Sequence, residues 1–285
     1  VLSQLAPEWV DAVHSLRGAT AHERGNLNGR TENLLWQTLA GTWTLDGPLE
    51  AERFTGYLIK ASREAKDWTS WTAQDGDAEA ELIAFAEHVL TSPAVAEIMT
   101  AWVTRTASPV RTATLATKAL QLTLPGVADV YQGTETTAVA LVDPDNRRPV
   151  DHEPLAETLQ RLDEGAKPVG LGEEKLRLTA AILRLRREVP EAFVGARAGY
   201  AALPTSTGHA IAYARTLDEE PRVCVVVKRL PIALAAVGGW GEGTAVLPRG
   251  GWGGVVSGAT YDGGARTLAK MLAEAPVAVL ARVVE

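Results

Sequence analysis

The stretch PGVADVYQGTE, Pro125–Glu135, decides the fold. A helix signal precedes it. Ser108-Pro109 reads as a cap and first turn, and the apolar period runs on to about Leu124. Pro125-Gly126 stops that helix. Val127, Ala128, Val130 and Tyr131 then form a short β-rich run that ends at Gly133, with Tyr131, Gln132 and Glu135 presented at its end. A helix feeding a short buried strand is the unit of a parallel α/β sheet or barrel. In such barrels ligands meet the loops that follow the strand ends. The spacing therefore predicts a buried parallel strand over 127–133. Plain strand-end packing of Tyr131 and Gln132 is the alternative.

Directly after it comes LVDPDNRRPVD, Leu141–Asp151. Pro144 and Pro149 fix their own φ and push the residues before them toward extended conformations, so this loop has a shape. Asp143, Asp145, Asn146 and Asp151 crowd around Arg147 and Arg148. Guanidinium forks among carboxylates either lock one another or offer donors to a hydroxyl-rich ligand. A turn whose polar groups satisfy one another is the other reading.

Upstream, the pattern is helical. Helices are expected from Pro7 to Leu16, from a Thr31 cap to Trp43, from Leu49 to Lys66, and from an Asp77 cap to a break at Ser92-Pro93. Downstream, Pro154–Leu162 and Gly172–Glu188 are helical. From about Val194 the period changes to two, and the tail reads as a compact antiparallel β-sandwich. The predicted division is 1–190 for the barrel end with a helical insertion and 191–285 for the β domain.

Composition excludes several classes. The net charge of -7 leaves no basic face for nucleic acid. The one cysteine, Cys224, sits in an apolar run and allows no disulfide framework. No apolar run is long enough to cross a membrane, and no signal-peptide pattern is present, so a cytoplasmic protein is the default. The five histidines are scattered, so no metal site is expected; nor is a phosphate loop or other cofactor motif. Eight tryptophans against three phenylalanines suit either a core or the apolar faces of sugar rings. The chain opens at Val1 without a methionine and reads as if it begins in mid-fold.

PGVADVYQGTE followed by LVDPDNRRPVD resembles the eighth barrel strand and next loop of maltooligosyl trehalose synthases, of the α-amylase clan. RTENLLWQTLAGTW (30–43) and YLIKASREAKDWTSW (57–71) resemble that family's helical segment. VVVKRLPIAL, GGWGEGTAVLPRGGW and LAEAPVAVL (225–234, 238–252 and 272–280) resemble its C-terminal β domain. The run Glu135-Thr136-Thr137-Ala138 departs from the family, which usually carries a tryptophan soon after that glutamate.

The resemblance implies the closing part of a (β/α)8 barrel with a helical insertion, followed by the β-sandwich. It implies an intramolecular transglucosylase that turns the reducing-end α-1,4 bond of a maltooligosaccharide into an α,α-1,1 bond. It also places the catalytic carboxylates upstream of Val1, so the partner expected for this chain is the rest of the enzyme. Within the chain, Asp145, Asn146, Arg148 and Asp151 are expected to hold sugar, with Arg147 locking the loop. Tyr131, Gln132 and Glu135 stand at the strand end. Lys60, Arg63, Lys66 and Trp71 are further candidates, unless they form only a solvated helix face with a Lys60–Glu64 pair. A hydrolase or transferase of the same clan, or a non-catalytic glucan-binding or assembly module, are the competing readings.

Overall fold

A computed structural model describes residues 1–283. The chain divides into two compact units: Leu2–Ala107 with Val139–Pro149, and Ser108–Ala138 with Val150 onward.

The first unit is helical. Its elements are α1 (Ala6–Ala19), α2 (Gly29–Thr42), α3 (Ala51–Ala65), α4 (Gly76–Thr91) and the first half of α5 (Pro93–Thr123). The Asn28 side chain caps α2 by accepting from the Arg30 and Thr31 amides, and Asp75 caps α4 through the Ala78 amide. Thr31 and Asp77, the expected caps, lie three and two residues past the true caps, inside the first turn of each helix. Leu35, Trp36 and Leu39 of α2 are fully buried, as are Phe54 and Leu58 of α3 and Leu82 and Val89 of α4. Trp36 meets Phe85 edge-on at 5.8 Å, and Trp9 packs on Trp102 at 5.0 Å. Five of the eight tryptophans are core residues, so indole enrichment here is chiefly packing.

Ser108-Pro109 starts no helix. Pro109 sits inside α5, and the boundary between the units falls there. A proline in a helix interior costs about 3 kcal/mol. Burial on both sides of it offsets that cost: Val95, Met99 and Trp102 anchor the first half, and Leu115, Ala119 and Leu122 the second.

The second unit continues with α6 (Glu153–Asp163) and α7 (Gly170–Glu188), then β1 (Ala198–Ala202), β2 (Ala210–Leu217) and β3 (Glu220–Lys228). A short α8 (Pro231–Ala236), β4 (Thr244–Gly254), β5 (Thr260–Thr267), α9 (Leu268–Met271) and β6 (Val277–Arg282) complete it. All pairings are antiparallel, in the order β1-β2-β3-β6-β4-β5. Both faces of β3 are buried, which is why its valines run without polar interruption. Val223, Val225 and Val227 pack on Leu115, Leu122, Ile182 and Leu185 of the helices. Cys224 and Val226 face Ala245, Leu247 and Trp252 of β4, so the sheet folds over a second core as a sandwich does. The Cys224 thiol is buried there, and burial pushes it up to about 12.

The fold expected from the resemblance is present as a helical region followed by an antiparallel β domain. One element differs. Residues 127–133 form no strand, and Val127 is 98% exposed. A parallel strand needs neighbours to receive its N–H and C=O groups. Among the described residues the only sheet is the antiparallel one, and it offers this segment no place.

Candidate functional site

The helical unit carries a cleft of about 490 Å³ between α3 and the loop 142–148. Arg53, Tyr57 and Lys60 stand at i, i+4 and i+7 on α3 and so share one face. Asp143, Pro144, Asp145 and Arg148 form the opposite wall, with Glu50 at the start of the helix.

Arg53 fastens the loop to the helix. Its Nε donates to Asp145 Oδ1 at 2.6 Å and its Nη2 to Asp145 Oδ2 at 2.9 Å. The same Nη2 donates to the Val139 carbonyl at 2.7 Å, and Nη1 to Glu50 Oε2 at 2.8 Å. The Leu141 amide closes the loop on Asp145 Oδ2 at 2.7 Å. Beyond a cis Asp143–Pro144 peptide, a 3-10 turn over Asp145–Arg147 leads to Arg148 in an extended conformation. Arg147 donates to Asp143 Oδ2 at 2.5 Å.

The charges follow from these contacts. The Arg53 fork holds the Asp145 carboxyl below the usual carboxylate range, and the Arg147 contact does the same for Asp143. Arg53 also lowers Glu50, while its own guanidinium is held more firmly protonated by Asp145. Arg148 adds to the lowering of both Glu50 and Asp145. These three carboxylates are therefore acceptors at neutral pH, not proton donors. Fixed acceptors beside fixed cationic donors suit the alternating hydroxyls of a sugar edge. They do not make a general acid and base pair.

The remaining sequence-selected residues of this unit have other duties. Arg63 is spent on Glu79, with Nε to Oε1 at 2.8 Å and Nη2 to Oε2 at 2.6 Å, and Nη2 also reaches Gln74. It lies 5.0 Å from the ring centre of Trp71, which remains 53% exposed. Lys60 pairs with Glu64 at 3.2 Å while lining the cleft. Lys66 is the left-handed cap that ends α3. Asn146 lies within the 3-10 turn.

Tyr131, Gln132, Glu135 and Asp151 belong to the second unit. The Tyr131 carbonyl accepts from the Thr134 amide and hydroxyl, a turn in which Gly133 takes φ +78°. Gln132 is exposed and bonded within the structure. The Glu135 carbonyl accepts from Thr179 Oγ1 at 3.4 Å. Asp151 starts α6 by accepting from the Glu153 amide at 3.1 Å.

Arg53 and Tyr57 escape a sequence reading that looks for loops. Their one signal is the seven-residue spacing with Lys60 on a helix near the motif YLIKASREAKDWTSW. Among the described residues no cluster of His, Cys, Asp and Glu is arranged to hold a metal.

The Arg63–Glu79 pair carries a pH prediction. The guanidinium fork, with the Thr69 hydroxyl at 2.6 Å, lowers the Glu79 carboxyl to about 2. The folded value lies below the unfolded one. Its stabilisation is therefore full above the unfolded value and is lost as the pH falls through the folded one. Denaturant titrations should show the native chain losing stability from about pH 4.5 to about 2 more steeply than Glu79→Gln. Parallel curves would mean that the pair contributes nothing to folding.

No family profile matches the chain. A Mycobacterium tuberculosis (strain H37Rv) protein assigned as a maltooligosyl trehalose synthase is 36% identical over 288 aligned positions, covering 99% of this chain and 35% of that protein. The solved maltooligosyltrehalose synthase of Arthrobacter ramosus superposes with a TM-score of 0.85 at 32% identity, over 99% of this chain and 36% of that one. A Sulfolobus tokodaii structure at 24% identity and TM-score 0.74 shares the fold. The chain thus spans about a third of the length of the relatives it matches. These likenesses place it in the α-amylase clan. Within the clan its whole length matches the C-terminal third of maltooligosyl trehalose synthases. No single helix among the described residues is long and apolar enough to cross a membrane.

Proposed function

We propose that this chain supplies the sugar-holding loop and C-terminal β domain of an intramolecular transglucosylase. The reaction is isomerisation of the reducing-end α-1,4 bond of a maltooligosaccharide to an α,α-1,1 bond. The observation that carries this reading is the clamped cleft. Arg53 and Asp145 fix a wall in which Arg148, Lys60, Tyr57 and Asp143 offer donors and acceptors to a hydroxylated ligand. An enzyme that releases glucose, turns it and lets it attack again must hold that glucose and keep water away. Orientation of that kind contributes about 7–11 kcal/mol to a bimolecular step. The nucleophile and the proton donor come from the part of the relatives that this chain does not cover. The reading divides the chain near 190, assigns Asn146, Asp151, Tyr131, Gln132 and Glu135 to the sugar-facing side, and places the protein in the cytoplasm.

Maltopentaose separates the readings. The purified chain alone should release neither trehalose-ended product nor glucose. Supplied in trans or fused with the N-terminal portion of a family member, it should yield the non-reducing product. Turnover by the isolated chain would show that the catalytic residues are misplaced. A reconstituted pair that gives only reducing fragments would favour a clan hydrolase.

A further inference from the structure

The second unit holds a cavity that the sugar reading does not use. It measures about 390 Å³ and lies between the helices α5 and α7 and the β domain. Leu115 and Leu178 line it from the helices, and Met271, Val277 and Val279 from α9 and β6. Every wall belongs to the second unit, and none comes from 127–135. Two arginines tie the walls together. Arg111 of α5 donates from Nε to Glu174 Oε2 of α7 at 2.6 Å and from Nη2 to the Glu274 carbonyl at 3.1 Å. Arg177 of α7 donates from Nη2 to the Val256 carbonyl at 2.7 Å. The frame is therefore closed by bonds within this chain.

The lining has two chemistries. Leu115, Leu178, Met271 and Val279 are buried and make an aliphatic floor. Such a floor offers no partner to hydroxyls, so a sugar laid on it would lose the hydrogen bonds it makes to water. A hydrocarbon body gains there by leaving water. The charged part of the lining is unbalanced. Arg111 is matched by Glu174. Arg177, half-buried, and Lys270, exposed, make no ion pair among the described residues, and Glu274 is the only other acid of the lining. Two cations against one carboxylate leave a positive charge beside an apolar floor.

We propose that this cavity binds a small amphiphilic acid, its hydrocarbon body on the aliphatic floor and its single carboxylate taken by Arg177 and Lys270. A guanidinium with one nitrogen already fixed on a carbonyl is held in place, and its remaining N–H groups suit a carboxylate. The proposal does not rest on the sugar-holding role of the α3 cleft.

The test uses the two methionines of the chain. Met271 lines the cavity, while Met99 is buried in the helical unit. The full chain, with isotope-labelled methionine methyl groups, is titrated with octanoate, with 2-naphthoate and with the octylammonium ion at constant ionic strength. Octanoate should shift the Met271 methyl signal saturably, with Kd near or below about 1 mM, and leave Met99 in place. Octylammonium has the same hydrocarbon chain and the opposite charge, and should bind at least about tenfold more weakly. Arg177→Leu and Lys270→Leu should each weaken octanoate several-fold. Binding of either acid supports the class, and the tighter one identifies the body as alkyl or aryl. A Met271 signal that neither acid moves by about 10 mM would overturn the proposal. So would equal binding of octylammonium, or an octanoate affinity that both variants leave unchanged. Lys270 is exposed, so Lys270→Leu alone decides this last point should Arg177→Leu fail to fold.

Discussion

Arg53→Met should destabilise the helical unit by about 3 kcal/mol, the low end of the cost of removing one partner from a buried ion pair. The Asp145 side chain is 10% exposed, and after the substitution the Leu141 amide is the main donor left to it. The Val139 carbonyl loses its donor as well. Loop 139–149 should open, and trypsin should cut after Arg147 faster than in the native chain. Denaturant melts and a proteolysis time course measure the two effects. The double variant Arg53→Met/Asp145→Leu should recover much of the loss, because the uncompensated carboxylate is then removed too. A double variant less stable than Arg53→Met would show that packing of the arginine stem, not its charge pairing, holds the loop. A single variant with native proteolysis would show that the prolines alone shape it.

This clamp was the part of the site least legible in the sequence. Arg53 and Asp145 lie 92 residues apart, and no local motif joins them. The loop itself was legible, since two prolines and a crowd of charges have few other uses. The β tail could be read from its alternation: β3 at Glu220–Lys228 is the long apolar run of the sequence. Helix starts were read within a turn, because several Asp, Asn and Thr residues compete for each cap and only the backbone chooses among them. Pro109 misled because a helix anchored in a core on either side tolerates the hydrogen bond it loses. The segment 127–133 misled for the opposite reason. Its pattern specifies a strand, but strand structure depends on neighbouring chain that a local pattern does not contain.

Arg148→Ala should change which product forms more than how fast the first bond breaks. Under the proposed reaction, cleavage needs the nucleophile and the acid, and both lie outside this chain. Return of the freed glucose needs a hand that holds it. Arg148 lines the cleft opposite Lys60 and Tyr57, and its charge acts on Glu50 and Asp145. Loss of a charge-assisted hydrogen bond made to the turning glucose costs about 1.5–3 kcal/mol. That corresponds to roughly a 10–100-fold fall in the isomerisation rate. Hydrolysis should change little, because water needs no such grip. The ratio of trehalose-ended product to free glucose from maltopentaose, measured in the complete enzyme, should therefore fall by about the same factor. Arg148→Lys should restore only part of it, since an ammonium keeps the charge but loses the planar fork. Arg147→Ala is the internal control: Arg147 bonds Asp143 within the loop, so its loss should disturb stability before it disturbs the ratio. An Arg148→Ala enzyme with an unaltered product ratio would remove this loop from the mechanism. Equal losses of isomerisation and hydrolysis would instead assign Arg148 to binding of the whole glucan chain.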